Sequence, residues 1–299
     1  ASLAGGGFLL AHKEGAAPVV HDFFAQTPLK RRPEDATEFY PVHANFGHVT
    51  QEIHIGLGSV ATPGAIAGFF DIHQRHGTLP MARLLEPSIR AAREGVQVEA
   101  LQSYIFDVVA PIYQASPGAR EAYGSLHPGR IHRQPALAAT LEALSREGPD
   151  LFYRGELGQR LDRLSNEQGG HLCTADLQRY QVIHRAPLSV GYRGARILTN
   201  PPPTAGGILI GFGLGLLAAT PVDRSSPESP GHMRLLAEVL ETTAAARIAV
   251  LAAAESSGEL SRELLAVYRE RVLGAPPMSR GTTHISIIDQ AGNAAALTL

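Results

Sequence analysis

The sequence predicts an α+β chain, and three observations carry that reading. Two stretches near the C-terminus, Ile285-Ser286-Ile287-Ile288 and the apolar run from Ala294 to Leu299, have the pattern of paired strands around a turn at Gln290-Ala291-Gly292-Asn293. Several separate stretches repeat their apolar side chains with helical period. The composition, 299 residues with 44% hydrophobic and 18% charged side chains, describes a soluble globular protein able to bury a large core.

In chain order, residues 1–28 predict strands. Phe8-Leu9-Leu10-Ala11 is apolar, Gly15 turns the chain, and Pro18 to Phe24 resumes the extended pattern. Gly5-Gly6-Gly7 precedes a strand and has no following Gly-Lys-Ser/Thr, which argues against a phosphate loop. Residues 27–56, rich in proline, charge and histidine, predict a surface loop of the kind that carries binding residues. From Pro63 to Arg93 the pattern turns helical, with Ile66, Phe69, Phe70 and His73 on one helix and Leu84, Leu85, Ile89 and Ala92 on a second, joined at Gly77-Thr78-Leu79-Pro80. His73 and His76 lie one turn apart, but no carboxylate or cysteine stands near them at metal-ligand spacing, so a solvated helix end is predicted and no metal centre.

Residues 98–128 read as helix and then irregular chain. Ala136 to Glu147 is a helix closed by Gly148, and Gly155 to Glu167 is another, ending at Gly169-Gly170. Strands return at Leu188-Ser189-Val190 and Arg196-Ile197-Leu198 around a turn at Tyr192-Arg193-Gly194. Gly206 to Ala219 is the longest apolar run; it falls short of the ~20 residues of a membrane span and carries several glycines, so it predicts a buried helix packed closely on a sheet. A helix from His232 to about Leu251 follows, then a charged stretch at 255–273, and residues 274–280 are expected to be mobile before any cleavage after them.

Charge and cysteine usage narrow the function classes. A net charge of −2 argues against a polyanionic partner, and the clusters Lys30-Arg31-Arg32 and Arg130, His132, Arg133 read as solvated faces. The lone Cys173 cannot form an internal disulfide and leaves the compartment open. The chain begins Ala-Ser-Leu, without a methionine or a charged segment ahead of an apolar one, so no signal peptide is visible.

The chemistry-bearing stretch is Gly281-Thr282-Thr283-His284-Ile285-Ser286. Glycine tolerates backbone conformations closed to other residues, so the Gly281–Thr282 peptide can bend until the Thr282 hydroxyl faces the Gly281 carbonyl. Attack there turns the amide into an ester, and hydrolysis frees Thr282 as a new N-terminus. Its α-amine, with an ordinary pKa near ~7.7–8.0, then serves as the base for its own hydroxyl. The same residues also suit an ordinary hairpin entry.

The run from Thr282 to Ser286, with Asp289, Gly292, Asn293 and Thr298, resembles the start of the small subunit of the γ-glutamyltransferases (glutathione hydrolases). Earlier stretches resemble the same family in the same order: Gly5 to Leu10, Gly58 to Gly64, Gly77 to Pro80, Asp150 to Gly155, Gly169-Gly170, Asp176-Leu177, Tyr180, Pro187-Leu188, Tyr192 to Gly194 and Pro201 to Gly207. The resemblance implies an N-terminal-nucleophile hydrolase fold, an αββα sandwich with a large helical lobe. It makes residues 1–281 the large-subunit region, incomplete at its N-terminus, and 282–299 the truncated start of the small catalytic subunit.

It further implies that Thr282 is the nucleophile and that cleavage falls between Gly281 and Thr282. Thr283 and His284 become supporting residues that position the strand. Neither metal nor organic cofactor is expected, and the partners are a small γ-glutamyl donor with water or an amine as acceptor, without nucleic acid or a membrane span. A periplasmic or secreted setting is what the resemblance alone implies, and the sequence leaves a cytoplasmic one open. One departure concerns the substrate: the family's Asp-Phe-Arg is here Asp22-Phe23-Phe24, so Phe24 replaces the arginine that would pair with the α-carboxylate. Either Lys30, Arg31 or Arg32 supplies the cation or the acyl group differs. A glutathione-type hydrolase, an acylase of the same superfold and a catalytically silent homologue remain distinct readings.

Overall fold

The computed structural model of the chain describes residues 3–47, 49–220, 226, 229–269, 272, 284–289 and 293–298. In chain order the described strands are β1 (Gly7–His12), β2 (Val19–Phe23), β3 (Tyr40–Asn45), β4 (Thr50–Ile55), β5 (Val96–Gln97), β6 (Ile131–His132), β7 (Ile183–Arg185), β8 (Leu188–Tyr192), β9 (Ala195–Thr199), β10 (His284–Ile288) and β11 (Ala294–Thr298). The helices are α1 (Ala65–His76), α2 (Met81–Glu94), α3 (Ala100–Val108), α4 (Ala110–Tyr113), α5 (Pro117–Tyr123), α6 (Pro135–Glu147), α7 (Asp150–Tyr153), α8 (Glu156–Glu167), α9 (Thr174–Arg179), α10 (Ala205–Leu217), α11 (Pro230–Ser257) and α12 (Arg262–Arg269). The chain divides into two compact units, Gly7–Asp22 with Ile183–Leu299, and Ser2–Gly6 with Phe23–Val182.

In the first unit the alternating and apolar stretches meet in one sheet, ordered β10-β11-β1-β2-β7. Phe8, Leu10 and His12 stand opposite Thr298, Ala296 and Ala294, which in turn stand opposite His284, Ser286 and Ile288. Alternation puts Leu10, His12, Ala294, Ala296, Ser286 and Ile288 on one face of the sheet. A second sheet, the β8–β9 hairpin, turns at Arg193 and Gly194, both with positive φ (50° and 85°), the two-residue turn whose twist matches antiparallel strands. Arg196 and Leu198 of β9 share a cavity of about 400 Å³ with Leu10, His12, Ser286 and Ala296, so the two sheets face each other.

Helix α10 covers the hairpin, and its glycines permit the approach. A Cβ on Gly211 would sit 2.9 Å from Val190 Cγ2, and one on Gly207 would sit 2.0 Å from the Asn200 carbonyl oxygen. Behind this contact lies a core of Val190, Ile208, Phe212, Leu216, Val239 and Val250, shared by β8, α10 and α11. Helix, sheet and sheet are three consecutive layers of the predicted sandwich. The glycine-rich run is thus a buried helix as expected, and among the described residues no helix is long and apolar enough to cross a membrane.

The second unit is mostly helical. α1 and α2 form as predicted on either side of Gly77 to Pro80, and α6 and α8 occupy the predicted spans. α1 begins where four backbone groups are held from outside the helix. The Gly64 and Ala65 amides both donate to the Gly5 carbonyl at 2.9 Å. The Tyr153 hydroxyl accepts from the Ala67 amide at 3.2 Å and donates to the Pro63 carbonyl at 2.9 Å. Burial pushes the Tyr153 phenol above its ordinary pKa, which keeps the donating proton in place. Tyr153→Phe is therefore expected to cost about 1–3 kcal/mol, because it strands a part-buried amide and a buried carbonyl together. Urea denaturation of the full-length protein measures this.

Two spans depart from expectation. Residues 27–56 are not a plain loop: β3 and β4 form an antiparallel hairpin pairing Tyr40 with Ile55 and Asn45 with Thr50. One face carries Tyr40, Val42, Ala44, Ile53 and Ile55, and the other His43, Glu52 and His54. The alternation was in the sequence, obscured by a proline and by charges. Its turn is fixed by the Gly47 amide donating to Asn45 Oδ1 at 2.8 Å, with Gly47 at φ 88°. α11 also runs past Leu251 to Ser257 through an alanine-rich tract of high helix propensity, ending at Gly258 with φ 72°. Residues 274–280 lie outside the described residues.

Candidate functional site

β10 begins directly after the stretch Gly281-Thr282-Thr283 that the sequence singles out. His284 is its first residue, in register with Thr298 of β11 and, through it, with Phe8 of β1. Gly281, Thr282 and Thr283 lie outside the described residues; Thr282 is two residues before β10. Ser286, two residues further along, faces the inter-sheet cavity, as does His12, whose buried Nδ1 has no hydrogen-bond partner among the described residues.

The far end of the hairpin is locked by the two polar residues of the motif. The Asn293 amide donates to Asp289 Oδ1 at 2.9 Å, its side-chain amide donates to Asp289 Oδ2 at 2.8 Å, and the Asp289 amide donates to the Asn293 carbonyl at 3.0 Å. Asn293 Oδ1 also accepts from the Glu14 amide at 3.1 Å, tying the turn to the end of β1. Asp289 and Asn293 therefore set the register of β10 against β11.

In the same unit, Asp22 of the Asp-Phe-Phe stretch is buried and accepts from Arg185 Nε at 2.8 Å across β2 and β7. Sequence reading missed β7 and with it this pair, because three residues give too short a pattern to register as a strand. His21 and His184, one pair along, meet edge to face with centroids 5.0 Å apart.

The substrate-side candidates belong to the second unit. Phe24 is anchored through its backbone, its carbonyl accepting from the Tyr180 hydroxyl at 2.9 Å, while the residue as a whole is 56% exposed. A Cβ on Gly6 would meet the Ala25 amide nitrogen at 2.4 Å, so that glycine allows the strand beside Phe24 to approach. Arg31 pairs with Glu34 at 2.7 Å on the surface. Arg32 donates through Nε to the Gly170 carbonyl at 3.0 Å and through Nη2 to Asn166 Oδ1 at 3.3 Å, while its amide donates to His171 Nδ1 at 3.0 Å. Arg32 thus ties the loop to the Gly169-Gly170 turn. His73 Nε2 pairs with the Leu79 carbonyl at 2.7 Å, closing the end of α1.

Comparison with known proteins follows the same lines. The glutathione hydrolase proenzyme of Pseudomonas aeruginosa is 28% identical over 316 residues, covering 99% of this chain and 55% of that protein. The acylase ACY 1 proenzyme of Pseudomonas sp. strain V22 is 30% identical over 264 residues, covering 82% of this chain and 47% of that protein. The chain thus spans about half the length of the relatives it matches. The crystal structure of a cephalosporin acylase from Bacillus halodurans superimposes with a TM-score of 0.80 at 21% identity, over 99% of this chain and 56% of that one. The fold is that of the N-terminal-nucleophile hydrolases. The family model described as gamma-glutamyltranspeptidase matches residues 1–299, from the glycine run before β1 through β11, and the chain belongs to that family.

Proposed function

We propose that the protein carrying this chain cleaves itself between Gly281 and Thr282 and then hydrolyses or transfers the acyl group of γ-glutamyl-type amides through Thr282. The observation that carries the reading is the intact Gly281-Thr282-Thr283 directly ahead of His284, the first residue of β10, a strand whose partner β11 is in turn paired with β1. The residues before the cut form the large subunit and those from Thr282 the start of the small one.

In the first reaction the Thr282 hydroxyl attacks the Gly281 carbonyl, the peptide nitrogen leaves as the Thr282 amine, and water hydrolyses the resulting ester. In the second, the amine takes the hydroxyl proton while Oγ attacks the substrate amide. The proton passes to the leaving amine, and water or an acceptor amine releases the acyl group from Thr282. Thr283 and His284 position this strand. The acyl group's carboxylate needs a cation in place of the missing arginine. Arg31 suits that role better than Arg32, since an exposed i,i+3 ion pair is worth ~1 kcal/mol or less and is readily exchanged, whereas Arg32 would forfeit several bonds.

A second reading, an acylase for a different acyl group, is favoured by Phe24 itself: a phenyl ring cannot pair with a carboxylate. The ACY 1 acylase relative is consistent with it. Full-length enzyme assayed on γ-glutamyl, glutaryl and butyryl anilides separates the two. The first reading expects the highest kcat/KM on the γ-glutamyl anilide; a preference for either of the others replaces it with the second. Phe24→Arg is expected to lower KM for the γ-glutamyl and glutaryl anilides at least ~10-fold, the worth of a charge-assisted bidentate pair, and to leave the butyryl anilide unchanged.

A further inference from the structure

Helix α11 buries one face in the core of its unit and carries a second apolar stripe elsewhere on its surface. Met233, Ala237, Leu240, Ala244, Ile248 and Leu251 follow one another at steps of four, three, four, four and three, the spacing of a single helix face. Met233 is 58% exposed, Leu240 65% and Ile248 85%; Ala244 is exposed too, while Leu251 at the edge of the stripe packs on the core. Single exposed apolar side chains are ordinary, but a row of them along one helix marks a contact surface.

The spacing reads the same in both directions. Leu240 and Ile248 stand four residues either side of Ala244, Ala237 and Leu251 seven, and Met233 and Glu255 eleven. Two copies of α11 laid antiparallel, with Ala244 on the two-fold axis, therefore set Leu240 against Ile248 of the other copy twice, and alanine against alanine where the backbones come closest. The charges agree with that direction. Arg234 lies ten residues before Ala244 and Glu255 eleven after it, so each end of the pair brings a guanidinium to a carboxylate of the other copy. The Arg234 side chain is 77% exposed and meets Glu238 Oε1 only through Nε, at 3.2 Å, among the described residues; Glu255 is exposed as well. A parallel pair would set Arg234 against itself, Glu255 against itself and the helix dipoles side by side.

We propose that this stripe is a homodimer interface, occupied by α11 of a second copy of the chain in antiparallel register about Ala244. The paired stretch from Met233 to Glu255 is about 33 Å long. The assignment is independent of the reaction proposed for Thr282.

Sedimentation velocity of the full-length protein over a range of concentrations is expected to show a reversible dimer. Leu240→Glu and Ile248→Glu are each expected to weaken it at least ~100-fold, because the two-fold axis enters every buried charge twice. Arg234→Glu is expected to weaken it, and Arg234→Glu combined with Glu255→Arg to restore it, an exchange to which an unspecific apolar association would be indifferent. In a Cys173→Ser background, a short bismaleimide is expected to join Ala244→Cys to its own copy and to leave Ser256→Cys, about 36 Å from its own copy in this register, unlinked. The substituted stripe residues are exposed, and circular dichroism checks that the variants fold. A monomer at every concentration, a dimer indifferent to both glutamates, or equal cross-linking at 244 and 256 overturns the proposal, the first of these leaving the stripe to solvent or to the rest of the protein.

Discussion

Thr282→Ala in the full-length protein is expected to yield a single uncleaved chain and to lower anilide hydrolysis by at least ~10³-fold, because it removes the proposed nucleophile of both reactions. Thr282→Ser keeps a hydroxyl and is expected to process, more slowly, and to retain measurable hydrolysis. The pair of variants separates chemistry from folding: alanine and serine differ by one oxygen at a residue that either supplies the attacking atom or does not. Gel analysis after long incubation and single-turnover kinetics read the two effects independently. Comparable hydrolysis by wild type and Thr282→Ala would remove Thr282 from the mechanism.

Phe212→Ala carries the largest expected cost in stability, about 3–5 kcal/mol. Phe212 is 1% exposed on α10, and its ring meets Tyr268 of α12 edge to face with centroids 5.9 Å apart. The glycines along α10 bring its backbone onto β8, and Phe212 fills the space between that helix, α11 and α12. Removing the ring leaves a cavity that the surrounding helices cannot collapse to fill. Thermal and urea unfolding of the full-length protein measure the loss. A cost below ~1 kcal/mol would mean that this core is not what holds the helical layer to the sheets.

Where the fold was legible in the sequence, one pattern dominated its stretch. The β10–β11 hairpin, the β8–β9 hairpin around Arg193-Gly194 and the glycine-rich α10 each announce themselves by alternation, turn residues or an unbroken apolar run. The β3–β4 hairpin did not, because Pro41, Glu52 and the histidines masked a period of two that the register makes plain. The proposed central residues of the candidate site, Gly281 to His284, stand out in the sequence because they are contiguous, and Gly281 to Thr283 lie outside the described residues. Partnerships across long separations were not: Arg32 meets Gly170 at a separation of 138 residues, and Arg185 meets Asp22 at 163. Nothing local to Arg32 shows that its guanidinium ties two loops together. Asp289 and Asn293 lie between these cases, visible as motif residues, while their role as the lock of the turn needed the structure.

The central claim, that Thr282 is released as an N-terminal nucleophile, is tested most directly by the intact mass and N-terminal sequence of the protein expressed from its full-length gene. The account predicts two fragments, the second beginning Thr282-Thr283-His284. A single chain that persists through long incubation would contradict it, and would make the protein a silent member of its family in which Thr282 is an ordinary residue leading into β10.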